Sequence, residues 1–338
     1  MEQTAIAIGA LREAARLLER AQESSRRATA LRKAAAVLAD LDPARAAELT
    51  ASGQWQSLPG IGETSAGIIV AAVAGRESPY LAKLRPRGPL VDPEPALRGL
   101  LRGDLHTHTD ASDGSVPLAE MVEAAAALGH SYLAVTDHSP RLRVANGLSV
   151  ARLEAQLVAI ADLNRSAPLR VLTGIEVDIL TDGRLDQRDD LLRRLDVVVA
   201  SVHSDLRMPA EAMTLRMVAA VANPRVDVLG HCTGRLVAGE RGTRPQSAFD
   251  AEVVFEACRQ FGVAVEINSR PERCDPPDDL LALAAEIGCD FAIDTDSHAP
   301  GQLEFLSYGA ARAEAAGIGA DRILNTLDVD ALLTRTRG

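Results

Sequence analysis

Several large protein classes are excluded by what these 338 residues lack. The four cysteines, Cys232, Cys258, Cys274 and Cys289, show no Cys-x-x-Cys spacing and form no disulfide framework, which fits a reducing compartment. Charged residues from Arg12 to Arg20 interrupt the N-terminus where a signal peptide would carry its apolar core. No apolar run approaches the roughly 18 residues of a membrane span. A soluble cytoplasmic protein with no membrane contact is the expectation. Lysine is nearly absent, with only Lys33 and Lys83. The sequence has no Gly-x-Ser-x-Gly elbow, no P-loop and no dinucleotide-binding glycine fingerprint, so chemistry built on those motifs is unsupported.

Charge is uneven. Residues 1–100 hold 13 Lys/Arg against 11 Asp/Glu, which leaves 23 against 36 for the remainder of a chain whose net charge is −11. A polyanion would therefore have to be attracted locally. A hydrophobic content of 47% is ordinary for a globular chain with a substantial core, and the length has room for two domains.

Against these absences stands one recurrence. Six of the seven histidines, with two carboxylates, close short runs rich in Val, Ile and Leu, in the order His106-x-His108, His138, Glu176, His203, His231 and Asp296-x-His298. Val197–His203 and Phe291–His298 are examples, and runs of this kind are buried parallel strands. Between them, helical patterns cover about 117–129, 150–166, 186–194, 209–222, 247–261, 278–287 and 301–316. Strand followed by helix, repeated, predicts an α/β fold: a distorted seven-stranded (β/α)7 barrel related to the TIM barrel. In such a barrel the loops at the carboxyl ends of the strands share one face, where residues distant in sequence can meet.

Residues 4–80 carry apolar stripes at helical spacing, such as Leu11, Ala14, Ala15, Leu18 and Leu31, Ala34, Ala35, Leu38, and predict a small all-α domain over 1–84. Within it Leu58-Pro59-Gly60-Ile61-Gly62 has the form of a helix-hairpin-helix turn. Gly60 and Gly62 would let backbone N–H groups at a helix N-terminus approach a DNA phosphate. The same five residues also serve as a tight turn and nothing more. Residues 85–101, rich in proline, are expected to be an extended linker to a barrel over 102–338.

A His-x-His pair on a strand presents both rings to one face, and Asp296-x-His298 shares that spacing. Asp113 adds a third carboxylate in the loop after the first pair. These nine candidate ligands, His106, His108, Asp113, His138, Glu176, His203, His231, Asp296 and His298, exceed what one ion needs. Two or three divalent ions, Zn2+, Mn2+ or Fe2+, are expected, with water as nucleophile for hydrolysis of a phosphoester. Arg235, Arg241, Arg244, Arg270 and Arg273 follow ligand-bearing or neighbouring strands, and Arg235 and Arg270 are the candidate phosphate grips. Asp137 and Asp294 are candidates to orient ligand imidazoles, or to serve as caps or core hydrogen-bonding groups, and His130, preceding its strand, is expected at the other end of the barrel.

Arg102–Thr109, Val135–His138, Gly174–Leu180, Ala200–Ser204, Leu229–Arg235 and Asp296-Ser297-His298 resemble the polymerase-and-histidinol-phosphatase (PHP) domain, in the form attached to bacterial family X DNA polymerases. The resemblance spans about residues 102–320, and residues 1–85 are similar to the small N-terminal domain of those polymerases. It implies a trinuclear site, with His106, His108, Glu176 and Asp296 at one ion. Glu176 would bridge to a second ion at His203 and His231, and Asp113, His138 and His298 would hold the third. The polymerase palm and fingers that stand between the two regions in that family are missing here, which argues against nucleotide polymerisation. Neither lysine matches the pattern of the family's lyase. A DNA 3′-to-5′ exonuclease or end-processing phosphodiesterase of repair is the leading expectation. A phosphatase of small molecules such as histidinol phosphate is the alternative, and a non-catalytic DNA-binding scaffold ranks last.

Overall fold

The Ala/Leu stripes of the first eighty residues pack on one another. In this computed structural model, which describes residues 2–85, 90–239 and 242–336, α1 (Glu2–Arg20) packs on α2 (Ser25–Ala39) and on α4 (Glu63–Val73). Leu11, Leu18, Leu31, Leu38, Ile68 and Ile69 are buried around Trp55, the only tryptophan, which is fully enclosed. α3 (Pro43–Ser52) begins where Asp42 accepts from the Ala44 and Arg45 amides, and ends at Gly53 in the left-handed region. α5 (Pro79–Leu84) closes the unit, which extends to Pro89.

The second unit, Leu90–Gly338, is the barrel. Its strands are β1 (Gly103–Asp104), β2 (Tyr132–Val135), β3 (Arg170–Asp178), β4 (Val197–Ser201), β5 (Val228–Leu229), β6 (Ala264–Asn268) and β7 (Phe291–Asp294). They pair in parallel in sequence order, and a parallel bridge from Thr107 to Ser297 nearly closes the ring. α6 (Leu118–Ala127), α7 (Val150–Leu163), α8 (Asp189–Leu192), α9 (Ala210–Val221), α10 (Ala251–Phe261), α11 (Asp278–Ile287) and α12 (Leu306–Ala315) connect the strands or follow them, and α13 (Val329–Thr336) comes last. The helix expected over 186–194 is the single turn Asp189–Leu192; it follows a small hairpin in which Ile179 bridges Leu185 and Gly183 turns the chain at φ +82°, and Asp186 is still tied to that hairpin, its amide donating to Asp178 O at 2.9 Å. Of the expected linker over 85–101, residues 86–89 lie outside the described part. From Leu90 onward the segment packs on the barrel: Ala96–Leu100 is a 3₁₀ helix against α12, and the Leu97 amide donates to Glu314. No helix among the described residues is long and apolar enough to cross a membrane.

The two-residue period of the strands positions the site. Tyr132 and Ala134, Val197 and Val199, Val228, Ala264 and Ala292 share one buried cluster with Leu324 and Leu332. Ile175, Val177, Val198, Ala200, Val265, Ile267, Phe291 and Ile293 belong to another, packed with residues of the helices. Continuing the inner alternation toward the carboxyl ends brings Thr136 and His138, Glu176, Ser201 and His203, Glu266 and Asn268, and Asp294. Each strand is thus apolar at the floor and polar at the mouth. Gly174 is needed in this inner layer, since a Cβ there would stand 2.9 Å from the Val197 carbonyl oxygen.

At the floor, Asp227 accepts from the Val198 amide at 2.8 Å. Burial pushes its carboxyl up to about 8, against the opposing pull of that N–H and of Arg335. Between the ordinary carboxyl range near pH ~4 and that value, the unfolded chain has released a proton that the folded chain keeps, so this group lowers stability progressively as pH rises. Asp227→Asn, which cannot ionise and still accepts from Val198, should gain on the parent in urea denaturation midpoint between pH 5 and pH 8. An equal difference at both pH values would show that Asp227 does not titrate in this window.

Candidate metal centre

The nine candidate ligands come together around Glu176, whose side chain is fully buried. Glu176 Oε1 lies 3.1 Å from His203 Nε2 and 2.9 Å from His231 Nε2. Its Oε2 lies 3.4 Å from His106 Nε2, 3.6 Å from His108 Nε2 and 2.8 Å from His138 Nδ1. Asp296 Oδ1 stands 3.3 Å from His108 Nε2 and 4.0 Å from His106 Nε2. Asp113 Oδ1 is 3.4 Å from His138 Nε2 and 3.3 Å from His298 Nε2. Three overlapping groups each offer ligand atoms within 4.8 Å of one another: His108, Asp113, His138 and His298; His106, His108 and Glu176; His138, Glu176 and His203. His108 and His138 each belong to two groups, so proximity alone does not partition the ligands as the resemblance implies.

The donor set fits divalent cations. His106 Nε2, His108 Nε2, His138 Nδ1, His203 Nε2 and Glu176 Oε2 are sealed from solvent without a well-formed hydrogen bond, an arrangement that is costly unless something coordinates them. Mixed imidazole and carboxylate ligands suit transition metals of the zinc and manganese type.

Two details of local geometry differ from the strand reading. β1 ends at Asp104, so the His106-x-His108 pair stands on an extended segment beyond it, fixed where Thr107 O accepts from the Thr136 amide. Asp296-x-His298 is not strand either: β7 ends at Asp294 and Asp296 has φ +51°, uncommon for a residue with a side chain. That backbone is held because Asp296 O accepts from Arg270 Nη1 at 3.0 Å and Asp296 Oδ2 from Arg273 Nε at 3.0 Å.

The imidazoles are aimed from behind. Glu266, buried in β6, meets His106 Nδ1 at 2.6 Å and accepts from the His231 amide, and Asp178 at the end of β3 meets His203 Nδ1. Sequence reading assigned neither role, although a carboxylate inside an apolar strand was the available signal. Asp137 does not orient His138. It accepts from Thr109, Ser112 and Gln156, and so fixes the loop that carries Asp113. Asp294 accepts from the Leu105 amide and from Asn325. Arg216, on α9 and 1% exposed, donates to the carbonyls of Ile179, Leu180 and Ser204, tying together the loops after β3 and β4. His130 is buried, and neither of its ring nitrogens has a hydrogen-bond partner among the described residues.

The arginines differ from expectation. Arg235 donates to the carbonyls of Arg273 (3.1 Å) and Cys274, while Arg270 is engaged by Glu272 at 2.9 and 2.7 Å, by Asp296 O and by His298 Nδ1 at 3.1 Å. Both guanidinium groups brace protein loops, which runs against their reading as phosphate grips. Arg241 lies outside the described residues, and Arg244 donates to Gly234 O. In the helical unit, Gly60 has φ +89° as its turn demands, but the Gly62 amide donates to Ser65 Oγ at 2.9 Å and is occupied within the chain.

Electrostatics follow from crowding. Burial favours neutral imidazoles, but Glu266 and Glu176 overcome it at His106 and raise its pKa well above the ordinary value. Glu176 and Asp113 likewise raise His138 to about 10. His108, buried and flanked by His298 and His138, falls to about 3. Burial disfavours ionised Glu176, yet the surrounding imidazoles hold it well below the usual carboxylate range.

Such a cluster at the mouth of a parallel barrel offers divalent cations a mixed nitrogen and oxygen site. Residues 104–270 match the PHP domain and residues 5–77 a helix-hairpin-helix domain, so this chain carries a PHP domain behind a helix-hairpin-helix domain. It is 38% identical over 241 residues to the DNA polymerase/3′-5′ exonuclease PolX of Bacillus subtilis, a match covering 70% of this chain and 42% of that protein's length. It is 28% identical over 238 residues to a probable phosphatase of Thermoanaerobacter, covering 66% of this chain and 89% of that one. Among solved structures, the histidinol phosphate phosphatase of Lactococcus lactis, complexed with zinc, L-histidinol and phosphate, aligns at 19% identity and a TM-score of 0.47, over 64% of this chain and 94% of that one.

Glu266→Gln should lower affinity for Zn2+ or Mn2+ by about 10- to 100-fold, because it weakens the support of His106 and His231. Competition against a chelator measures this, and an unchanged affinity would show that Glu266 serves the core alone.

Proposed function

We propose that this chain is a divalent-metal-dependent phosphodiesterase that trims DNA ends, as a 3′-to-5′ exonuclease of repair, with the helix-hairpin-helix unit holding the strand. The observation that carries this reading is Glu176, whose two oxygens face two different sets of imidazoles, the arrangement a bridging carboxylate requires. In this reading His106, His108, Glu176 and Asp296 would hold one divalent ion, His203 and His231 with Glu176 a second, and Asp113, His138 and His298 a third. Divalent ions bound there would make hydroxide available from water near neutral pH and neutralise phosphoryl oxygens. The remaining work is positional. Glu266 and Asp178 fix ring orientation, Asp137 sets the Asp113 loop, and the buried walls exclude bulk water.

The DNA part of the proposal is supported by the helix-hairpin-helix match and by the similarity to PolX. Its phosphate contact would be the open backbone around Gly60 and the N-terminus of α4, where the helix dipole favours an anion. Affinity would fall with salt on a shallow slope, since few phosphates are held.

Thr64, exposed in the first turn of α4, offers the test. Thr64→Glu suits a helix N-terminus but repels a phosphate there. Cleavage of single-stranded DNA should fall about tenfold or more, while hydrolysis of a small chromogenic phosphodiester stays within about twofold. His106→Ala should abolish both. Equal rates on DNA for parent and Thr64→Glu, with rapid turnover of histidinol phosphate, would replace this reading with a small-molecule phosphatase.

A further inference from the structure

Arginines of three kinds stand around the site. Arg216 is spent on backbone carbonyls, and Arg235 and Arg270 brace the loops after β5 and β6. Arg273 differs. It is 6% exposed, and its Nε donates to Asp296 Oδ2 at 3.0 Å. Among the described residues, neither of its terminal nitrogens has a hydrogen-bond partner. Those nitrogens are also absent from the set of sealed polar atoms, so the tip of the guanidinium is the part that reaches solvent.

Its placement is fixed from several directions. The Arg273 amide donates to Arg270 O at 3.0 Å, and its carbonyl accepts from Arg235 Nε at 3.1 Å. The loop is closed by Asn268, whose amide donates to Asp275 O, and Asp275 accepts from Thr233 through amide and hydroxyl. Asp296 then divides its two oxygens: Oδ1 faces His108 and His106, and Oδ2 faces Arg273. A guanidinium packed on every side but its tip, with two donors turned toward solvent beside Asp296, is placed to meet an anion when the site is in use.

We propose that Arg273 is the substrate-binding arginine of this centre, its Nη1 and Nη2 gripping the oxygens of a phosphoryl group seated beside Asp296. The assignment rests on the phosphoester reading above and supplies the contact that Arg235 and Arg270 do not. The planar fork of arginine matches two oxygens of a tetrahedral phosphate, which a lysine ammonium does not. Pairing with Asp296 steadies the fork before substrate arrives, so little rotamer freedom remains to be lost on binding.

The test uses the full chain loaded with Mn2+ or Zn2+, in parent, Arg273→Gln and Arg273→Lys forms. Inorganic phosphate is the calorimetric probe, metal content is measured on each sample, and kcat and KM are taken on a chromogenic phosphodiester. The expected result is unchanged metal content with phosphate affinity about 10- to 100-fold weaker in Arg273→Gln and partly recovered in Arg273→Lys. Phosphate affinity altered by less than about threefold, or no phosphate binding by the parent, overturns the assignment. Metal content falling in step with phosphate affinity overturns it too, because Arg273 would then act only by holding Asp296. A parent that binds phosphate through Arg273 yet hydrolyses no phosphoester would sink the phosphoesterase reading and leave the anion site standing.

Discussion

The fully buried carboxylate of Glu176 constrains the rest of the barrel. An unpaired ionised group in that position would cost several kcal/mol, far more than a single packing contact returns. It is tolerated because five imidazoles arrive from four other stretches of chain, each at the carboxyl end of a strand or just beyond it. That convergence needs the strands parallel, in register and nearly closed into a ring, which is the architecture seen. The apolar floor formed by Val197, Val199, Ala264 and Ala292 and the polar mouth are therefore two halves of one inner face.

Behind the ligands stands a set of groups that do not face the centre. Glu266 and Asp178 fix ring nitrogens, Asp137 gathers three donor residues from the Asp113 loop and α7, and Arg216 joins two loops through their carbonyls. Each turns a flexible loop end into a fixed platform. Asp296 shows how far this goes. Its left-handed backbone, a conformation that costs of order 1 kcal/mol or more for most residues, is held by Arg270 and Arg273 from the neighbouring loop. The direction in which Asp296 points is thus set by tertiary contacts and not by strand alternation.

The barrel and the order of the candidate ligands along it were legible in the sequence because both are written in local periodicity: apolar runs with period two, helical stretches with period 3.6, and a histidine or carboxylate where each run ends. What could not be read was partner choice across the barrel. Glu266 and His106 are 160 residues apart, and no local pattern couples them. Arg216 occupies the apolar side of α9, with Met213 and Ala220 three and four residues away, a placement that the alternation of charged and apolar residues concealed. The arginines after β5 and β6 were identified as a group, but their individual roles depend on hydrogen bonds among loops. Arg235, one of the two arginines picked out in the sequence, is engaged through its Nε and one terminal nitrogen, whereas neither terminal nitrogen of Arg273 has a partner among the described residues. In the helical unit the glycine turn was legible, while the bond from the Gly62 amide to Ser65 follows from how the turn closes onto α4.

The protonation pattern shows why this cluster suits cations and would make a poor structural core. Glu176 and Asp296 are held ionised, His106 and His138 are driven to take up protons, and His108 is driven to give its proton up. Imidazoles in contact are thus pushed in opposite directions, and several ring nitrogens are sealed without a hydrogen-bond partner among the described residues. A core selected for stability would replace such a cluster with apolar side chains, which commonly costs nothing and can gain a few kcal/mol. Divalent ions bound there would resolve the conflict differently, since the rings would give up protons to coordinate them. Ligation and proton release are then one event. Binding of divalent cations among these groups would recover the stability given up in assembling them.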